Sequence, residues 1–154
     1  MLFDLHSHST ASDGTLTPTE LVKRAHEQGV QVLALTDHDT TAGLAEARQA
    51  ATGKLELVNG IEVSASWNGQ TIHIVGLGLD PDNAALQAGL VRLCEFREWR
   101  AEEIAHRLEK KRIPDALEGA RAYAKGQLVS RTHFARFLVE KAMPTQYVRS
   151  SSTI

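Results

Sequence analysis

An α/β fold built on a parallel sheet with crossover helices is what this chain predicts, and three observations lead there. Two apolar strand-like runs, each followed by a helix signal, and then a third strand pass within about the first 60 residues, the cadence of βα units. Each run ends in polar residues of metal-ligating type, at the C-terminal strand ends where parallel α/β architectures place their sites. The length of 154 residues supplies a real core but falls short of the ~250 residues of a complete (β/α)8 barrel.

The first strand lies in Leu-Phe-Asp-Leu-His-Ser-His-Ser-Thr, residues 2–10. His6 and His8, at i and i+2, project to one face of a strand and can share a metal ion. Alone the pair is a weak signal, because 7 His in 154 residues yield roughly 0.3 such pairs by chance. Asp13-Gly14 marks a tight turn just past the strand end. Thr17, Pro18 and Glu20 then read as a capping box with proline at the first helical position, opening a helix over Leu21, Val22 and Ala25 that Gly29 closes. The apolar run 30–35 is a second strand, ending in Thr36, Asp37, His38, Asp39 and Thr40.

An Ala-rich helix over roughly 41–52 stops at Gly53, and residues 55–58 lead into a strand at 60–64. Asn68-Gly69 is a hairpin signal, so 61–66 returns antiparallel as 71–76, which puts Glu62 and His73 on facing strands with their register open. From Asp82 to about Arg112, Leu86, Leu90, Leu93, Trp99, Ile104 and Leu108 recur at helical spacing. A short helix follows at 115–125, and Ser130 caps a last one carrying Arg131, His133 and Arg136. The chain divides into strand-and-helix residues 1–80, a mainly helical segment 81–141 and an unstructured tail 142–154.

Net charge is −2 with His neutral, so no global basic field recruits double-stranded DNA or a membrane surface, and a polyanionic substrate must be held locally. No apolar run reaches the ~18 residues of a membrane span. The start of the chain lacks the basic flank and apolar stretch of a secretory signal, and the single Cys94 excludes an internal disulfide framework, so a cytoplasmic location is expected.

Strand ends thus deliver His6, His8, Asp13, Asp37, His38, Glu62 and His73, nitrogen and oxygen donors without a thiolate. That set suits Mn, Zn or Fe, and several carboxylates beside several imidazoles suit more than one ion, with Glu62 as a bridge. Plainer roles stand beside these. Asp13 also reads as a turn residue, and Asp37 and Asp39 as helix caps or as carboxylates orienting His38. His26 and His106 read as solvated or packed helical histidines, and Cys94 as a small buried hydrophobe. Arg131 and His133 either hold a phosphate at the first turn of a helix or are surface groups.

The stretch Asp-Leu-His-Ser-His-Ser-Thr with Ser-Asp-Gly, then Leu-Thr-Asp-His-Asp-Thr, Gly-Ile-Glu-Val-Ser and His-Ile-Val-Gly, resembles the polymerase and histidinol phosphatase (PHP) family of metal-dependent phosphoesterases. Arg-Thr-His-Phe-Ala-Arg at 131–136 is similar to its stand-alone bacterial subgroup, whose members hydrolyse 3′,5′-nucleoside bisphosphates and degrade short RNA from the 5′ end. The resemblance covers residue 1 to about residue 140. It implies the N-terminal part of a distorted (βα)7 barrel with an inserted or appended helical segment. It also implies up to three divalent metals held by His6, His8, Asp13, His38, Glu62 and His73, Asp13 and Glu62 being catalytic, and Arg131 and His133 in a substrate-binding motif. The family continues for a further hundred or more residues with another His and an Asp-x-His pair, whereas the residues up to Ile154 do not resemble that continuation. The chain therefore reads as the N-terminal half. The expected function is hydrolysis of phosphate esters of nucleotides or short RNA, the alternative being a truncated or non-catalytic PHP module that folds or binds metal without turnover. An incomplete barrel would also expose strand edges and favour self-association.

Overall fold

The computed structural model describes residues 1–125 and 127–142. Strand β1 (Phe3–Ser7), helix α1 (Pro18–Glu27), β2 (Val32–Leu35), α2 (Leu44–Ala51), β3 (Glu56–Trp67) and β4 (Gln70–Leu77) form the first part. The sheet runs β1-β2-β3-β4, parallel across the first two pairings and antiparallel across the last. Every residue of β2 is buried, which is why this central strand reads as an unbroken apolar run. Leu33 and Leu35 meet Val22 and Ala25 of α1 and Leu44, Ala47 and Ala51 of α2 in one core. Truncating either leucine to alanine would cost about 2–5 kcal/mol.

Helix α1 begins as its capping box predicts, Thr17 accepting from the Glu20 N–H while the Glu20 carboxylate accepts from the Thr17 N–H at 2.8 Å. Helix α2 starts at Leu44 rather than near 41 because residues 37–43 are spent elsewhere: Asp39 has φ 54° and Leu44 N–H closes a turn on the Thr41 carbonyl. The runs at 55–58 and 60–64 prove to be one strand that changes partner. Residues 56–59 pair with β2, and from Gly60 onward the strand pairs with β4. A Cβ on Gly60 would lie 2.6 Å from Thr36 Cγ2 and 2.9 Å from the Leu35 carbonyl oxygen, so only glycine lets β3 cross the end of β2 this closely. Asn68 and Gly69, with φ 49° and 75°, make the expected hairpin turn.

Helices α3 (Ala84–Lys110), α4 (Ala116–Ala124) and α5 (Arg131–Ala142) form the second part. Ala101, Ala105, Ala116, Ala120 and Ala124 bury against Val129 and Phe134, small side chains that let three helices approach. One expected cap is corrected. The Ser130 hydroxyl is buried without a hydrogen-bond partner among the described residues, and the Ser130 backbone N–H instead donates to His133 Nδ1 at 3.0 Å. The imidazole three residues on has taken over the reciprocal half of a capping box. Among the described residues no helix is long and apolar enough to cross a membrane. The expected tail beyond Ala142 lies outside them.

Candidate metal centre

Two backbone devices aim the first histidines. The β1–β2 register shifts between Asp4 and Ser7, where Thr36 Oγ1 both accepts from the Ser7 N–H and donates to the Ser7 carbonyl. The loop after β1 is then pinned by Asp37, which accepts from Ser9 N–H and Ser9 Oγ at 2.7 Å each and from Ser12 Oγ at 2.6 Å. Burial raises the Asp37 pKa beyond what the serine bonds can offset. Asp37 lies outside the donor triplets that the histidines form with Asp13 and Glu62 and caps none of the described helices; its serine bonds shape the loop that carries His8 and Asp13. Gly14 seats that loop, since a Cβ there would lie 2.4 Å from the His8 carbonyl oxygen.

Glu62 is the hub. Its Oε2 lies 2.8 Å from His6 Nε2, 3.1 Å from His8 Nε2 and 3.7 Å from His38 Nδ1, and its Oε1 is 3.0 Å from His73 Nδ1. The register left open by the sequence explains the last contact. Glu62 pairs with Val75 and His73 with Ser64, so Glu62 and His73 are diagonal neighbours on one face. His38 Nε2 lies 3.8 Å from Asp13 Oδ1, and the His8 and His38 rings stack with centroids 4.6 Å apart. Three overlapping donor triplets result, His6–His8–Glu62, His8–Asp13–His38 and His38–Glu62–His73, the ligand atoms of each within 4.8 Å of one another. All six expected ligands are therefore brought together, while His26 and His106 sit exposed on α1 and α3.

The donor chemistry fits cations. His6 Nε2 and His8 Nε2 face each other at 3.2 Å while both point at the same carboxylate oxygen, and His8 Nδ1 and His38 Nδ1 are buried without hydrogen-bond partners among the described residues, so lone pairs converge with too few protons to join them. Electrostatics favours the ligating forms. Burial lowers the His38 pKa, keeping the imidazole neutral. For Glu62 burial pushes upward, but the His6 hydrogen bond and the neighbouring imidazoles leave the carboxyl below its usual range. In Asp13 burial likewise pushes upward and is outweighed by the Thr132 hydrogen bond and by His38 and His8.

The helical part closes on this cluster. Thr132 Oγ1 donates to Asp13 Oδ2 at 2.8 Å and Arg136 donates to the Asp13 carbonyl at 2.9 Å. From α3, Arg97 Nε donates to Asp39 Oδ2 at 2.5 Å, and Asp39 Oδ1 accepts from the Ser64 N–H, tying α3 to the residue next to His38 and to β3. A small cleft of about 110 Å³ is lined by Asp13, His38 and His73 together with Arg97, Arg100 and Arg131. Arg131 thus lines the cleft, whereas His133 is buried beneath the first turn of α5 and does not. Burial, then repulsion from Arg136, lowers the His133 pKa. Sequence reading missed Arg97 and Arg100, which carry no local motif, and it assigned no role to Thr132, although Thr132 lies within the Arg-Thr-His-Phe-Ala-Arg stretch.

Comparison with known proteins follows the same outline. The PHP domain family matches residues 4–147. Over 139 residues the chain is 54% identical to a protein named 5′-3′ exoribonuclease from Haemophilus influenzae, covering 90% of this chain and 50% of that one. It is 50% identical over 139 residues to a 3′,5′-nucleoside bisphosphate phosphatase from Chromobacterium violaceum, covering 89% and 49%. The solved structure of an amidohydrolase from Chromobacterium violaceum, with bound sulfate and no metal, matches with TM-score 0.88 and 48% identity over 92% of this chain and 51% of that one. The chain spans about half the length of the relatives it matches. Its curled four-stranded sheet and crossover helices correspond to part of a PHP barrel. By the family match across residues 4–147, and with its donor cluster at the strand ends, the chain belongs to the PHP domain family.

Proposed function

We propose that this chain carries the phosphate-ester-hydrolysing centre of a metal-dependent phosphoesterase that acts on 3′,5′-nucleoside bisphosphates or the 5′ ends of short RNA. The observation that carries the reading is the set of three donor triplets sharing Glu62, His8 and His38, facing an arginine-lined cleft. His6, His8, Asp13, His38, Glu62 and His73 would hold divalent cations, with Mn, Zn or Fe matching the nitrogen and oxygen donors. When bound, such ions supply Lewis acidity and a water of lowered pKa. Glu62, facing four imidazoles, belongs to two of the triplets and would supply negative charge to offset bound cations. Asp13 has one oxygen occupied by Thr132 and keeps the other toward His38 and the cleft, where it can accept a proton or a cation. Arg97 is committed to Asp39, so Arg100 and Arg131 are the guanidiniums that meet phosphate oxygens. His133 holds the α5 turn that presents Arg131. The names of the exoribonuclease and bisphosphatase relatives support the nucleotide substrate class.

The test is to purify the chain, count metal per chain by elemental analysis and follow phosphate release from adenosine 3′,5′-bisphosphate before and after chelation. Metal-dependent release supports the reading; release that survives exhaustive chelation removes it. A second reading, a PHP unit that holds metal without turnover and self-associates, is favoured by the exposed Phe3, Leu5, Ile72, Ile74 and Leu77 on the two outer strands of the sheet. Bound metal, no release and a doubled mass by light scattering would establish it instead.

A further inference from the structure

Large apolar side chains spaced three apart on a helix ordinarily share a buried stripe. On α3, Phe96 and Trp99 are instead 50% and 56% exposed. Their ring centroids are 5.6 Å apart with a 33° tilt, and the Arg100 guanidinium lies 5.9 Å from the Phe96 centroid. Together they form a continuous aromatic and cationic surface of the kind on which unpaired bases stack. A cavity of about 220 Å³ opens beside it, with Phe96, Arg97 and Arg100 on the helix side and Ser66 and Thr71 on the β3–β4 hairpin. That is below the ~300–1,000 Å³ of sites for larger ligands and suits one planar group. Arg97 and Arg100 line both this cavity and the cleft at the donor cluster, so the two spaces share a wall.

The charge on that wall selects the occupant. Asp39 answers Arg97 and lines the same cavity, while Arg100 is half-buried, and burial with the neighbouring Arg97 and Arg131 lowers its pKa against the pull of Asp39, so that three guanidiniums share this wall. With a chain net charge of −2, this positive patch is local. An apolar protein segment would leave it unanswered, whereas a phosphodiester between two stacked nucleotides supplies an anion beside a ring.

We propose that Phe96, Trp99 and Arg100 form a stacking subsite for the second nucleotide of a single-stranded RNA whose 5′-terminal phosphate enters the arginine-lined cleft; this rests on the phosphoesterase reading of that cleft. Stacking uses the π-face that every base has, so the subsite is tolerant of sequence.

The test uses the whole chain in chelator, so that nothing turns over, with 5′-phosphorylated heptauridylate carrying a 3′ fluorescein, read by anisotropy. Trp99→Ala should weaken binding at least about fivefold, the low end of what one lost base stack costs. Trp99→Phe should stay within about twofold of the parent, because any ring offers a face. Trp67→Ala, at the hairpin tip, should change nothing, and displacement by adenosine 3′,5′-bisphosphate should be equal in all variants. Unchanged heptauridylate binding by Trp99→Ala overturns the subsite, as does an equal loss for the mononucleotide. A dimer that Trp99→Ala dissociates would assign the surface to a second copy and overturn it too. If no metal supports phosphate release yet Trp99-dependent RNA binding remains, the hydrolytic reading fails and the subsite stands.

Discussion

Thr132→Val removes one hydroxyl from the first turn of α5 and leaves the side-chain shape nearly unchanged. The lost bond, 2.8 Å from Thr132 Oγ1 to Asp13 Oδ2, is made to an ionised acceptor, a class worth about 1.5–3 kcal/mol. Thr132 is exposed, so water can replace part of the bond and the low end applies. About 1.4 kcal/mol is a factor of ten in an equilibrium constant, and losing a group that orients a ligand typically costs about 10–100-fold in metal affinity. Roughly tenfold weaker Mn or Zn binding is therefore expected, read by isothermal titration calorimetry. The Arg136 bond to the Asp13 backbone remains, so the loop stays docked and the melting temperature should move little. Thr132→Ser keeps the hydroxyl and should restore affinity. Identical metal affinity in the valine and parent proteins, or a loss that serine fails to rescue, would show that Asp13 is held by the backbone contact alone.

Three further outcomes are expected. Glu62→Gln keeps the shape of the hub but deletes the charge shared by His6, His8, His38 and His73; elemental analysis should show fewer metals per chain, and a full complement would remove Glu62 from the ligand set. His26→Ala, exposed on α1, should stay within about 0.5 kcal/mol of the parent in denaturant melts, and a deeper loss would undo the division between cluster and bystander. Arg97→Met strands the fully buried Asp39 without its partner, a change that typically costs about 3–5 kcal/mol and, at ~2–4 °C per kcal/mol for a chain this size, should lower the melting midpoint by ~6–20 °C; a shift under ~2 °C would mean that Asp39 finds its compensation in Ser64 and solvent.

What the sequence disclosed about the site divides by distance along the chain. His6 and His8 are legible because a strand has period 2, and α1 because Thr17 and Glu20 satisfy each other within one turn. The sequence leaves the Glu62–His73 contact open, because facing strands alone do not fix which residues share a face; the structure supplies the register, Trp67 pairing with Gln70 and Ser64 with His73, which places His73 diagonally across from Glu62. The supports are another matter. Arg97 meets Asp39 across 58 residues and Thr132 meets Asp13 across 119, and on α3 an arginine in a charged helical pattern looks the same whether it faces water or an aspartate. Ser130 is the instructive miss, since a serine before a helix normally supplies its hydroxyl as the cap, yet His133 accepts the Ser130 N–H and the hydroxyl is left unpartnered among the described residues. Placing an imidazole there costs a satisfied hydroxyl but fixes the turn from which Arg131 enters the cleft and Thr132 reaches Asp13. The donors thus lie in short motifs at strand ends, where backbone periodicity alone orients them, while their rigidity comes from helices that arrive much later in the chain. Substitutions in α3 and α5 should therefore alter metal affinity and substrate handling without touching a ligand.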